Sequence, residues 1–227
     1  MKARYHVERI FRTASEFFED QWFDLSRNVR TSGNVSLQTA GVARDQHPDS
    51  EFYQPARPAH IRQALHEIPV QNVSDYSYID LGSGKGRTLF IAAELPFRQI
   101  TGVEFSRMLH DQTCENIRRF RHRKQGSSNI ASLHRNAKDF VFPENRLVLY
   151  LFNPFGSETM QHVLNNLEAS LKRNPRHVVI LLLWPRCSDQ VAAIEGMSLR
   201  RETRQYQIFE AHWDQPASAL LEPIKCA

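Results

Sequence analysis

The sequence is short of cysteine, with three in 227 residues at positions 114, 187 and 226. They are far apart, with neither metal-ligand spacing nor the density of a disulfide framework, which favours a reducing cytoplasm. It has no long apolar run. The longest, Val178–Trp184, is too short to span a bilayer, and charge interrupts the apolar residues of MKARYHVERIFRTASEFFED, so no secretory signal is read there. Excess charge of one sign is also missing. A net charge of +4 and a pI near 9.1 are compatible with an anionic ligand or nucleic acid without selecting either. The ten histidines show no H-x-x-x-H pairing, so no metal site is expected. There is no G-x-S-x-G and no Cys/His pair of recognisable spacing, so nothing argues for covalent catalysis.

What is present is ordinary for a soluble globular domain: 41% hydrophobic and 24% charged residues. Residues 5–26 place Tyr5, Ile10, Phe11, Phe17, Phe18, Trp22, Phe23 and Leu25 at helical spacing, predicting a helix or two with an apolar face. A stretch rich in Gly, Ser, Thr, Pro and Asp follows to Pro58, long enough to be a functional cover or disordered. Pro58–Ile68 reads as a helix.

From Tyr76 onward strands and helices alternate. Strands are expected at YSYIDLG, QITGVEF, NIASLHRN, RLVLYLFN and HVVILLLW. Helices are expected at Arg87–Leu95, Arg107–Arg123, Glu158–Lys172 and Asp189–Glu195, with a closing hairpin of Leu199–Tyr206 and Gln207–His212. Near-continuous apolar strands alternating with amphipathic helices imply an α/β fold, a mostly parallel sheet covered on both faces. The division expected is an N-terminal helical and loop lid, 1–70, and a ligand-binding domain, 71–227.

Three glycines, Gly82, Gly84 and Gly86, fall between the first strand and its helix in DLGSGKG. Loops at the carboxyl ends of strands hold ligands in such sheets, and glycine lets the backbone turn tightly and a ligand lie against it. A dinucleotide loop, G-x-G-x-x-G, would need glycine where Arg87 stands. The pattern present is D-x-G-x-G-x-G from Asp80 to Gly86.

That pattern resembles motif I of the class I S-adenosylmethionine-dependent methyltransferases, which are Rossmann-like, seven-stranded and carry an antiparallel last strand. The resemblance implies a loop of Asp80, Gly82, Ser83, Gly84 and Gly86 around the amino-acid part of S-adenosyl-L-methionine, with S-adenosyl-L-homocysteine as product. Asp80 becomes the counter-charge to the ammonium group. Glu104, closing the second strand, accepts from the ribose hydroxyls. Phe105 faces the adenine or joins the core. Asn136, with the backbone of Ala137, reads the adenine edge, or Asp139 does. Lys85 and Arg87 meet the cofactor carboxylate or point to solvent.

After strand four, Asn153–Pro154–Phe155 is similar to the N/D-P-P-Y/F signature of amino-group methyltransferases with one proline fewer. The resemblance gives Asn153 the target nitrogen to orient and Phe155 the ring against it; otherwise Asn153–Pro154 only ends a strand. YQPARP, Tyr53–Pro58, resembles the Y-x-P-x-x-P segment of the non-SET histone lysine methyltransferases. The order T-S-G, Y-x-P, DLGSGKGR, GVEFS and NPFG looks like a group of bacterial methyltransferases. That resemblance folds Thr31–Gly33 and Tyr53 over the cofactor, where Tyr53 lines a substrate channel or packs as a loop aromatic.

The activity expected is cytoplasmic N-methylation of a protein lysine or small-molecule amine, without metal or membrane. Alternatives are methylation of an RNA or DNA base, and a non-catalytic cofactor-binding module. The basic run Arg118, Arg119, Arg121, Arg123 and Lys124 is a phosphate patch in the nucleic-acid reading. A solvated helix end is favoured over it.

Overall fold

The computed structural model describes residues 18–36, 39, 53–121, 129–152 and 155–213. The apolar runs form the strands expected of them. These are β1 (Tyr76–Leu81), β2 (Gln99–Glu104), β3 (Ile130–His134), β4 (Arg146–Phe152), β5 (His177–Leu183), β6 (Ser198–Glu202) and β7 (Tyr206–His212). They build one sheet in the order β3-β2-β1-β4-β5-β7-β6. β1 to β5 run parallel, and β7 enters antiparallel between β5 and β6. This is the mostly parallel sheet expected from the alternation of elements, in the Rossmann-like seven-stranded form that the methyltransferase resemblance implies. Strand order reverses between β1 and β4, which opens a crevice beyond their carboxyl ends.

The helices are α1 (18–27), α2 (Pro58–His66), α3 (Arg87–Ala92), α4 (Arg107–Arg119), α5 (Ser157–Arg173) and α6 (Ser188–Ala192). Among the described residues no helix is long and apolar enough to cross a membrane.

Side chains alternate across the sheet, as the pleat requires. Tyr76, Tyr78, Ile100, Val148, Tyr150, Val179 and Leu181 pack with α2 and α3 on one face. Ile79, Leu81, Val103, Leu147, Leu149, Ile180 and Leu182 pack with α5 on the other. Phe23, Val29, Ala56, Ile61 and Leu65 belong to the first of these clusters, so the described part of 1–70 shares a core with the sheet.

Several boundaries differ from the sequence reading for local reasons. α3 stops at Ala92, short of Leu95, because Pro96 disfavours helical backbone at the residue before it. The turn tightens into Glu94 N–H to Ile91 O and Leu95 N–H to Ala92 O bonds. The hairpin turns early: the Thr203 hydroxyl accepts from the N–H groups of Gln205 and Tyr206, so Tyr206 opens β7 instead of closing β6.

The apolar face expected on the first helix is not the one α1 turns inward. Phe18, Trp22 and Leu25 are exposed, and Phe23 is the large apolar residue it buries among those described. Its inner face also carries Asp20, Asp24 and Arg27, three or four residues apart and so on one side. Arg87 meets Asp20, Thr31 and Ser32 meet Asp24, and Glu94 meets Arg27. Polar contacts, more than apolar burial, hold this helix. Tyr5, Ile10, Phe11 and Phe17 lie outside the described residues.

Candidate active site

The loop after β1 has left-handed backbone at Gly82, Gly84 and Gly86, with φ of 84°, 55° and 83°. A side chain at any of them would be strained. Open space beside the loop is divided unequally. Gly82 is exposed, whereas Gly84 and Gly86 are buried. A Cβ on Gly84 would collide with the Tyr53 ring, and one on Gly86 would lie 2.7 Å from Thr113 Cγ2. Two of the glycines therefore admit this chain's own side chains, leaving Gly82 as the stretch of bare backbone open to a ligand.

Two carboxylates flank the loop on the same face of the sheet. Asp80, on β1, is 2% exposed and accepts a hydrogen bond from the Thr88 hydroxyl. Burial pushes its pKa up to about 7; the Thr88 bond opposes this and nearby Glu104 adds to it. Glu104, ending β2, is 3% exposed. Its two oxygens accept from Gly84 N–H and Ser106 N–H, both at 2.8 Å. Burial raises its pKa against backbone bonds from Ser106, Gly84 and Phe105. Among the described residues, no lysine, arginine or histidine forms a salt bridge with either carboxylate. The Tyr150 hydroxyl, whose residue pairs with Asp80 across β1 and β4, and Ser83 Oγ in the loop are buried without a hydrogen-bond partner.

The T-S-G segment and Tyr53 do lie beside the loop. Thr31 is fully buried; its hydroxyl donates to Asp24 at 2.6 Å and accepts from Arg87 Nε at 2.9 Å. The Tyr53 hydroxyl donates to Thr31 O at 2.6 Å, and Lys85 Nζ lies 5.0 Å from the Tyr53 ring centre. Lys85 also donates to Ser32 O and Gly33 O. Arg87 is 2% exposed and binds Asp20, Thr31, Ser32 and Ala56 O. Neither of the alternatives read from sequence, the cofactor carboxylate or solvent, describes these two residues. Both tie the N-terminal segment to the loop. Asn116 completes the seam, bonding Arg30 on both backbone groups and Lys85 O.

Phe105 packs with Tyr53, Val35 and Leu109 at this end of the sheet. Asn136 caps the short turn Ala137–Asp139 by accepting from Lys138 N–H at 3.0 Å, and Ala137 packs against the second core cluster. The side-chain amide donors of Asn136 are not used in that cap. Asp139 is exposed. Phe155 also packs on the second cluster. Asn153 and Pro154 lie outside the described residues, as do Arg123 and Lys124 of the basic run. Arg118 and Arg119 both pair with Glu115. They end α4, about 18 Å along the helix from the carboxyl edge of β2 where it starts.

One residue at this edge went unnoticed in the sequence. Trp184, directly after β5, has left-handed backbone at φ 48°, is 43% exposed and meets the His60 ring edge-on at 6.3 Å. Strained aromatic backbone at a strand's carboxyl end recurs at functional edges. Its only sequence signal was the W-P pair closing an apolar run.

No family model and no curated protein matches the chain. Solved structures are similar to it. A putative methyltransferase from Escherichia coli is 17% identical over 67% of this chain and 86% of its own, at a TM-score of 0.51. The chain has that methyltransferase fold. TrmN from Thermus thermophilus is 20% identical over 70% of this chain and 49% of its own, at a TM-score of 0.49. This chain thus spans about half of that protein's length. An RNA methyltransferase from Salinibacter ruber, in complex with S-adenosyl-L-homocysteine, is 17% identical over 70% of this chain and 94% of its own, at 0.44. The likeness to histone lysine methyltransferases rests on the sequence motifs alone.

Within the methyltransferase fold, the described residues fit an adenosyl amino acid. The two Glu104 oxygens keep acceptor capacity beyond their backbone bonds, suited to a hydroxyl donor. Asp80, buried and without a cationic partner among the described residues, suits an ammonium group.

Proposed function

We propose that this protein transfers the methyl group of S-adenosylmethionine to an amine nitrogen, with a protein side chain or a small-molecule amine as acceptor. The observation that carries the cofactor assignment is the pair of buried carboxylates, Asp80 and Glu104, with raised pKa values at the crevice. Burying a carboxylate without a positive partner is costly, and a ligand bringing a cation and two hydroxyls removes that cost.

When bound, the cofactor supplies a sulfonium-activated methyl for in-line displacement by a neutral nitrogen. The chain's residues hold the two partners in line, the contribution that orientation makes to rate. Asp80 and Glu104 fix the amino-acid and ribose ends, and Tyr53, Phe105 and Leu109 form an apolar wall beside them. Asn153 and Phe155 orient the nitrogen in this reading, and the proton it loses passes to solvent. The amine acceptor is supported by the Asn153–Pro154–Phe155 motif. The nucleic-acid reading loses support at the basic run, where Arg118 and Arg119 share Glu115 away from the crevice.

Calorimetry tests the cofactor: S-adenosyl-L-homocysteine is expected to bind at micromolar concentration, and NAD not at all. Glu104→Ala should weaken that binding by about 1.5–3 kcal/mol, the range for hydrogen bonds to a charged group. Binding of NAD in place of the adenosyl ligand would overturn the assignment. For the acceptor, cofactor labelled in the methyl group is incubated with fractionated lysate. Label in protein or small amines supports the reading, and label confined to RNA or DNA refutes the amine.

Trp184 is placed as one wall of the acceptor entrance, since it follows Leu183, the register partner of Phe152 at the end of β4. An aromatic face there attracts an alkylammonium group before it deprotonates. Trp184→Ala is expected to leave homocysteine-ligand affinity unchanged and to raise KM for the labelled acceptor about tenfold. An equal loss of cofactor affinity would place Trp184 elsewhere.

A further inference from the structure

The sheet assembles a second cluster of chemistry-bearing side chains at the opposite end of β5, about 20 Å from its carboxyl edge. His177 opens β5 and pairs in register with His212, which closes β7. Glu210, two residues before His212, points to the same face. His177 and Glu210 are 2% and 3% exposed, and His212 is partly buried. Glu210 Oε2 lies 3.5 Å from His177 Nε2, and Oε1 lies 3.5 Å from His212 Nε2. One ligating atom from each residue falls within 4.8 Å of the others.

Two details make this more than an ion-pair cluster. The Tyr76 hydroxyl lies 2.6 Å from His177 Nδ1, which fixes the ring and leaves Nε2 to face Glu210. That Nε2 is buried, and at 3.5 Å its facing acceptor, Glu210 Oε2, is too distant for a well-formed hydrogen bond. A fully buried ring nitrogen is rarely left unmatched, and an outer hydrogen bond on the remote nitrogen is the usual accompaniment of a metal-ligating histidine.

We propose that His177, Glu210 and His212 bind one divalent transition-metal ion, Zn2+ by preference. Two imidazole nitrogens and one carboxylate oxygen form a donor set suited to Zn2+, whereas Mg2+ and Ca2+ require mainly oxygen. A water on the partly exposed His212 side completes four-coordination. The two rings are stacked at 3.9 Å and 19°, so His212 turns to bring both lone pairs onto one ion. Arg200 competes for the carboxylate: its Nε lies 2.6 Å from Glu210 Oε1. Its side chain is 44% exposed on edge strand β6, so it can withdraw to solvent, and Oε2 already faces His177. The ion staples β5 to β7, and binding the folded state alone makes it a stabiliser. The chain-order signal, E-x-H on a strand, was present, but its partner His177 is adjacent only through the sheet.

The test uses the full chain, dialysed against chelator. Zn2+ is titrated by calorimetry and Co2+ by visible absorption. One equivalent of Zn2+ is expected, with a rise in thermal midpoint of about 5 °C. Co2+ should give d–d bands without a thiolate charge-transfer band. His212→Ala should abolish uptake while leaving S-adenosyl-L-homocysteine binding intact. Arg200→Ala should tighten Zn2+ binding severalfold by removing the competing cation. No saturable uptake, uptake unchanged in His212→Ala, or a thiolate band that moves the ion to cysteine would overturn the proposal. Unchanged or weaker binding in Arg200→Ala would equally count against it.

Discussion

Asp80→Asn is expected to make the ligand-free protein more stable above neutral pH while weakening its hold on S-adenosyl-L-homocysteine. The folded carboxyl keeps its proton to about pH 7, whereas the ordinary value is 3.8. Between those values the folded state binds more protons than the unfolded, so stability is full at low pH and falls as pH rises toward 7. Asn carries no charge to bury. The variant should therefore gain roughly 1–3 kcal/mol over the parent at pH 8 and nothing at pH 4. Ligand binding moves the other way. An ammonium group selects the ionised carboxylate, so parent affinity should rise with pH through about 7 with proton release. Asp80→Asn should lose about 10- to 150-fold of that affinity, the range of one charge-assisted bond, and the pH slope with it. Thermal unfolding at pH 4 and 8, and calorimetry in buffers of different ionisation enthalpy, read both effects. A parent protein whose stability is flat between those pH values would remove the assignment of Asp80 as a buried acid awaiting a cation.

Arg87→Ala should produce the largest loss of stability among the loop residues. The guanidinium is 2% exposed and bonds four groups of the N-terminal segment; Asp20, its ionic partner, retains 27% exposure. Breaking a fully buried pair costs about 3–5 kcal/mol, and water access at Asp20 moves the expectation to about 3 kcal/mol. For a chain of this length that is about 6–12 °C in midpoint. Lys should rescue little, because an ammonium cannot reproduce the guanidinium's fork across Thr31, Asp20 and Ser32. Cofactor affinity should fall too, since the segment that Arg87 anchors carries Tyr53 onto Gly84. A midpoint shift under about 2 °C would show that the segment docks without this arginine.

The inward face of α1 explains why that segment was harder to read than the sheet. Helical spacing of Phe18, Trp22 and Leu25 pointed to an apolar stripe, yet these residues face outward and the packed side is Asp20, Phe23, Asp24 and Arg27. Periodicity reports which residues share a face but not what a distant element offers that face. Here α3 offers Arg87 and the turn after it Glu94, so charged groups pack where apolar residues were expected. Glu104 was legible for the opposite reason: it ends a strand, and a strand's end is a local property.

The sequence by itself determined the α/β alternation, the number of strands along the chain from Tyr76 onward, and the tight glycine loop, because each depends on side-chain period or on φ within a few residues. It also placed Asp80 and Glu104 at the carboxyl edge. Only the tertiary structure decided that Gly84 admits Tyr53, that Arg87 is a buried anchor, and that His177 and His212 share one end of the sheet. Those contacts join residues far apart in the chain, and they are set by strand register and packing, which no short window of sequence contains.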